Sequence, residues 1–348
     1  MKKILPVRKP LFSGYPATGY LLSVLQCYDV TKEWLYNNYI QLFSPSNHDI
    51  DFFDICLENC PFIDYNVVDK DFILNKVSFI DYIVDMINRG YYVCFVADIS
   101  FISAYDFKGL HDPMIYGYDL DNKELYIADH FVNGKFSFAV CSFDEMESAV
   151  NIRNPSIEDN RFLRDYKVFR FFRFDDSLYK CKVHYTYDYR NRFNFTVERV
   201  KESLRDYIEC RPTVNWYTRL PYLSEAERKE HSFGLECYDL LIKQIGWAWD
   251  NKFVFRGTRQ SLYVEYSHKL MMENRVKYLG ERGILKNWEI HEKRYREIMK
   301  ESQILLMSYV KNVLKQDYML EQKGQINSKL EALKNQEYIT IKNLIMDI

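Results

Sequence analysis

The apolar positions follow two rhythms along the chain. In VSFIDYIVDMINRG, Phe79, Ile80, Ile83, Val84 and Ile87 recur at helical spacing, and Gly90 closes the run in the manner of a helix stop. Pro16 suits the first turn of an earlier helix, where a missing N–H costs nothing, with Tyr20, Leu21, Val24 and Leu25 on one face. TKEWLYNNYIQLF carries Trp34, Leu35, Tyr39 and Leu42 at near-helical spacing and predicts another helix. After Gly90 the rhythm shortens. YYVCFVA, PMIYGYD, ELYIAD and KFSFAV are β-branched and aromatic, separated by Gly and Asp-Asn turns, and predict strands. Ser142 to Glu145 is a capping-box pattern opening a short helix. KVFRFFRF and KVHYTYDY predict two more strands, and FTVERVKESLRDYI returns to helix with Val197, Val200, Leu204 and Ile208 as its stripe.

From about residue 217 the pattern is helical and charge-laced: ECYDLLIKQIGWAW, RQSLYVEYSHKLMMENRVKYLGERG, and one long segment from Trp288 to about Lys334. Leu270, Arg275, Tyr278 and Leu279 recur at helical spacing, as do Leu305, Leu306, Tyr309, Val310 and Val313. No internal repeat or low-complexity linker interrupts the chain. The expectation is an α+β domain over 1–215 with a mainly helical domain, 216–348, packed on it.

Composition sharpens this only in part. Tyr 29 and Phe 24 in 348 residues predict a bulky interior with many phenolic tips. A net charge of −2 leaves no basic face for nucleic acid. No apolar run reaches the ~18 residues of a membrane span, and Arg8 and Lys9 interrupt the N-terminal stretch before signal-peptide length. A cytoplasmic protein without nucleic-acid or membrane partners is therefore expected, with an oligomer left open. The 8 cysteines include no C-x-x-C pair; Cys94 and Cys141 read as small buried hydrophobes, and Cys56 and Cys60 near His48 lack a second ligand pair for zinc. No metal or cofactor is expected.

Candidate chemistry sits in HDPMIYGYDLDNKELYIADHF, residues 111 to 131, where two strands carry His111 at the start of one and Asp129 at the end of the next. A histidine that moves a proton needs a carboxylate to hold its tautomer, and this pairing supplies both. His130 points to the opposite face of an extended strand. Asp98 and Asp112 are alternative orienters, whereas Asp119, before a turn, reads as structural. His268, on a helix with Tyr266 and Lys269, reads as structural or as lining a cleft, and Trp247 and Trp249 read as core or interface.

The stretch from Gly90 to Val150, with HDPMIYGYDLDNKELYIADHF and NGKFSFAVCSFDEMESA, resembles the papain-like branch that includes peptidase family C39 and the butirosin biosynthesis protein H family. EWLYNNYIQL and YSHKLMMENRVKYL extend the likeness over nearly the whole chain. The resemblance implies a papain-like fold with an antiparallel sheet and an N-terminal helix. It also implies acyltransferases or amide synthetases of antibiotic assembly, such as the amide-forming enzyme of closthioamide assembly. In that reading an acyl group passes from the phosphopantetheine thioester of an acyl or peptidyl carrier protein to a cysteine, then to a small amine. His111 would serve as base and Asp129 as its orienter.

The family pattern places its cysteine at the start of the first helix, near Pro16 and Ala17 in SGYPATGYLLSVLQC, and this chain has none there. The alternatives are Cys27, about 15 Å away by helical rise; a thiol replaced at Ala17; a hydroxyl of Ser13 or Thr18; or no nucleophile. A leader-cleaving peptidase of C39 type and an inactive protease-fold binding module are the other functions compatible with the sequence.

Overall fold

A computed structural model describes residues 1–45, 48–53, 57–150, 167–177, 196–213, 229–252, 256–316 and 320–348. The predicted strand KVHYTYDY and the Cys56 position lie outside the described residues. In chain order the regular elements begin β1 (Lys2–Ile4), α1 (Pro16–Leu25), α2 (Lys32–Asn37), β2 (Leu42–Ser44), β3 (Asp51–Phe52), β4 (Ile63–Asp69), α3 (Lys70–Leu74) and α4 (Phe79–Asn88). There follow β5 (Tyr92–Cys94), β6 (Ala97–Asp98), β7 (Leu110–His111), β8 (Met114–Asp119), β9 (Glu124–Val132), β10 (Lys135–Ser142), α5 (Phe143–Val150) and β11 (Val168–Phe174). The remainder is α6 (Val197–Ile208), β12 (Ser232–Phe233), α7 (Glu236–Asp250), α8 (Arg256–Glu281), α9 (Trp288–Leu314) and α10 (Leu320–Asp347).

The chain is α+β, an antiparallel sheet followed by C-terminal helices, and it divides into two compact units. The first comprises 1–31 and 56–192, the second 32–55 and 193–348. Residues 32–55 and 193–215, grouped with the β half in the sequence reading, thus belong with the helices.

In the first unit the sheet runs β10-β9-β8-β5-β11-β4, with β1 also paired to β8. Every residue of β8 is buried, as expected for a central strand covered on both faces. The β9–β10 hairpin turns at Asn133 and Gly134, both at positive φ (54° and 66°), the tight-turn geometry that Asn-Gly favours. The capping box forms: Glu145 N–H donates to Ser142 Oγ (3.2 Å) and Ser142 N–H to Glu145 Oε2 (2.7 Å). Helix α4 buries Phe79, Ile80, Tyr82, Ile83 and Ile87, and the Ser78 hydroxyl caps it by accepting from Asp81 N (3.1 Å). Its Phe79 and Tyr82 meet Phe169 of β11, and Phe79 and Phe169 both meet Phe95, at ring separations of 5.2 to 5.9 Å.

The second unit packs α2, the small sheet β12-β2-β3 and helices α6 to α10. Two expectations about helix length change here. The predicted helix around Trp34 stops at Asn37, because Tyr39 takes a left-handed φ of 53° and Leu42 begins β2. The fully buried Arg275 of α8 holds that stop: it donates to the carbonyls of Tyr36 (2.9 Å), Asn38 (2.5 Å) and Tyr39 (3.0 Å), satisfying the end of α2 without a carboxylate. The long segment from Trp288 is two helices, with Gln316 at φ 54° after α9 and α10 continuing to Asp347.

A charged cluster occupies the core of this unit. Lys269, fully buried, donates to Glu265 Oε2 (2.6 Å) and pairs with Glu337 Oε2 (2.8 Å), which also accepts from the hydroxyls of Tyr207 (3.1 Å) and Tyr238 (2.9 Å). His268 is buried beside it and donates from Nε2 to the Ile40 carbonyl (2.8 Å); burial, reinforced by the Lys269 charge, pushes its pKa down to about 4. It is a structural residue of this unit. Trp249 is buried against Tyr309, whereas Trp247 is exposed. No described helix is long and apolar enough to cross a membrane.

Candidate active site

His111 ends β7, which pairs with β6 in a short ribbon that sets Ala97 opposite His111. Asp129 lies in β9, opposite Ser137 of β10, with a fully buried side chain. The two meet: His111 Nδ1 is 2.5 Å from Asp129 Oδ2. Tyr105 donates its hydroxyl to the same oxygen (2.5 Å), and the backbone N–H of His130 donates to Oδ1 (2.7 Å). Burial alone would raise the Asp129 pKa, but hydrogen bonds from His111, His130 and Tyr105 outweigh it and hold the carboxyl well below the usual carboxylate range. An ionised Asp129 fixes the His111 proton on Nδ1, so a neutral ring carries its lone pair on Nε2. The rings of Tyr105 and Phe107 stand 6.2 and 5.8 Å from the imidazole and frame it.

Asp112 points elsewhere. Its Oδ2 accepts from Arg170 Nη2 (2.7 Å) and its Oδ1 is 3.9 Å from His111 Nδ1. Asp98 caps the turn at Ile99–Phe101 by accepting from Ser100 N (3.1 Å), and Asp119 accepts from Asp121 N and Asn122 N in the β8–β9 turn. Of the carboxylates weighed, Asp129 is the one that holds the histidine.

Helix α1 reaches this place through Tyr20. Tyr20 donates its hydroxyl to the carbonyl of Asp112 (2.6 Å), the residue next to His111. Ala17, three residues earlier and so on the same helical face, is exposed. Pro16 occupies the first turn and Tyr15 provides no side-chain cap, so first-turn N–H groups have no intrahelical acceptor and form an anion-favouring end. Cys27 is at the opposite end of α1, its thiol donating to Ser23 O (3.4 Å) and its pKa raised by burial. The structure therefore joins His111 to Asp129 and brings Tyr20 of α1 to the neighbouring Asp112, whereas Cys27 lies at the other end of that helix. Thr18 is buried. Cys94, facing Met114 and Arg170 in the sheet, is buried, and burial pushes its thiol well up.

Gly19 allows α1 to approach β10: a Cβ there would stand 2.7 Å from the Phe136 ring and 3.2 Å from Ser13 Cβ. We expect Gly19→Ala to lower stability by about 1–3 kcal/mol through overpacking, read as a fall in the urea midpoint. A rise in the midpoint, from the better helix propensity of Ala, would show that Phe136 yields freely.

The residues that sequence reasoning missed are Tyr105, Arg170, Tyr20 and the ring contacts of His130. Each is separated in sequence from the group it serves. His111, expected to open the strand that is β8, instead ends β7, because Pro113, which has no N–H to donate, separates the two. The chain matches no protein-family model, and no curated protein matches it either. Among the described residues no group of three or more His, Cys, Asp or Glu side chains could hold a metal ion.

Proposed function

We propose that the first unit is a papain-like acyl-transfer domain, acting on a carrier-protein thioester and a small amine. The observation that carries this reading is the His111–Asp129 pair, with Tyr20 of α1 donating its hydroxyl to the carbonyl of the adjoining Asp112. In direct transfer the amine nitrogen attacks the thioester carbonyl while His111 Nε2 takes its proton. First-turn N–H groups of α1 hold the oxyanion. The C–N bond forms, the C–S bond breaks, and the imidazolium returns the proton to the departing thiolate. A cysteine at position 17 would add the acyl-enzyme step that the family resemblance implies, His111 deprotonating first the thiol and then the amine.

Ala17 favours a second reading: a carrier-protein or peptide binding module on the same fold, without turnover.

The test is intact-protein mass spectrometry of the chain and of its Ala17→Cys variant with an acyl-pantetheine thioester, with and without amine. An adduct only on the cysteine introduced at position 17, lost with His111→Ala, supports a thiol acyltransferase site. Amide formed by the unaltered chain without an adduct supports direct transfer. An adduct on Cys27 would place the nucleophile at the other end of α1, and neither adduct nor amide in either chain selects the binding module.

A further inference from the structure

His130 follows Asp129 in β9, yet its ring serves a different element. Nε2 lies 2.7 Å from the carbonyl of Ser13, in the segment that leads into α1, and the ring packs edge-on against Phe136 at 5.5 Å. Accepting carbonyls require a proton on that nitrogen, so Nε2–H donates to Ser13 O. Nδ1 is 3.4 Å from Asp129 Oδ1, and the His130 main-chain N–H donates to the same oxygen at 2.7 Å. The carboxylate that holds His111 is thus joined, through one residue, to the chain that enters α1.

The packing around Ser13 points the same way. Phe136, which the His130 ring touches, also contacts Tyr20 (6.0 Å between rings) and closes over Gly19, whose absent side chain leaves room for both Phe136 and Ser13. Ser13 is therefore held from one side by a hydrogen bond and lies close to the helix it precedes. Three residues separate it from position 17.

We propose that His130 is a positioning residue: its ring clamps the Ser13 carbonyl and so fixes the exposed start of α1, with position 17, relative to the His111–Asp129 pair. Its catalytic meaning rests on the acyl-transfer reading; its structural meaning does not. The clamp explains why a second histidine directly follows the orienting carboxylate without acting as base. Its donor is committed to a carbonyl, while His111 holds the carboxylate oxygen that sets a tautomer.

Two measurements separate the levels. Amide hydrogen exchange of peptides covering residues 11–19 should quicken about tenfold in His130→Leu, the loss of one hydrogen bond, and return close to the starting rate in His130→Gln, whose amide can donate from the Nε2 position. In the Ala17→Cys background, iodoacetamide alkylation followed against pH should show a thiol titrating below about 8.5, the ordinary value, moving back toward it when His130→Leu is added and down again with His130→Gln.

Unchanged exchange over 11–19 in a folded His130→Leu chain overturns the clamp. So does loss of protection throughout the sheet, which would make His130 a general stability residue. Lost protection at 11–19, with an ordinary thiol titration at position 17 whatever stands at 130, keeps the clamp and removes the acyl-transfer reading instead.

Discussion

Lys269→Met should be the most destabilising single substitution in the second unit, at about 3–5 kcal/mol at pH 7, because it strands buried carboxylates without their cation. Lys269 Nζ lies within 2.8 Å of oxygens on both Glu265 and Glu337, and no part of its side chain is exposed. Burial raises the Glu337 pKa on its own, yet the Lys269 charge, together with His268 and the hydrogen bonds from both, outweighs that and brings it to about 2. A depressed folded pKa contributes stability that is full above the unfolded value near 4.5 and is lost as pH falls toward 2. In the variant the sign reverses. The carboxyls become hard to ionise in the folded state, which then binds more protons than the unfolded chain, so the variant gains stability as pH falls from 7 toward 5. The gap between the two proteins should narrow over that window. The described tryptophans, Trp34, Trp247, Trp249 and Trp288, all belong to this unit, so fluorescence during urea unfolding reports on it. A variant within about 1 kcal/mol of the parent at pH 7 would show that the cation contributes no more than a surface charge does.

That cluster also marks where a sequence stops being informative. Glu265 and Lys269 are an i,i+4 pair, the spacing of ordinary solvated pairs on a helix surface, and nothing local shows that they face inward. Glu337 arrives from α10, on a separate helix, and only packing brings it close. The same distinction runs through the first unit. His111 and Asp129 are legible because they lie only 18 residues apart: β8, which begins after Asp112 and Pro113, returns through a short turn as β9, and that pairing nearly brings the two together. Helix α4 and the capping box at Ser142 are legible because their determinants are local. Tyr105 is not: it sits in the segment between β6 and β7, where no periodicity sets side-chain direction. Strand alternation predicts that His130 faces away from Asp129, but it cannot show the acceptor of the His130 ring, Ser13, 117 residues away. The early stop of α2 follows the same rule, since the guanidinium that caps its end comes from α8.

Asp129→Asn should leave the sheet folded and disable the histidine. An amide at this position presents one acceptor and one donor to a place where His111 Nδ1, the Tyr105 hydroxyl and the His130 N–H all approach a carboxylate. The tyrosine hydroxyl can rotate to accept; the imidazole can adapt only by moving its proton to Nε2, the nitrogen that the proposed reaction needs as base. If the acyl-transfer reading holds, in the unaltered chain or after Ala17→Cys, the rate should fall about 10³–10⁴-fold, the scale found when the orienting carboxylate of a triad is made an amide. A readout independent of turnover is the low-field proton resonance of His111 Nδ1, expected in the parent and absent from the variant. Stability should respond to pH with a definite sign. Because Asp129 is held below its ordinary pKa, its contribution is present above the unfolded value near 3.9 and is lost on further acidification, and that acid-dependent share should be missing from Asp129→Asn. Retention of the resonance would mean that the carboxylate does not select the tautomer. Loss of the resonance with an unchanged rate would mean that His111 is held by Asp129 for structure alone, and the base would then have to be sought elsewhere around the start of α1.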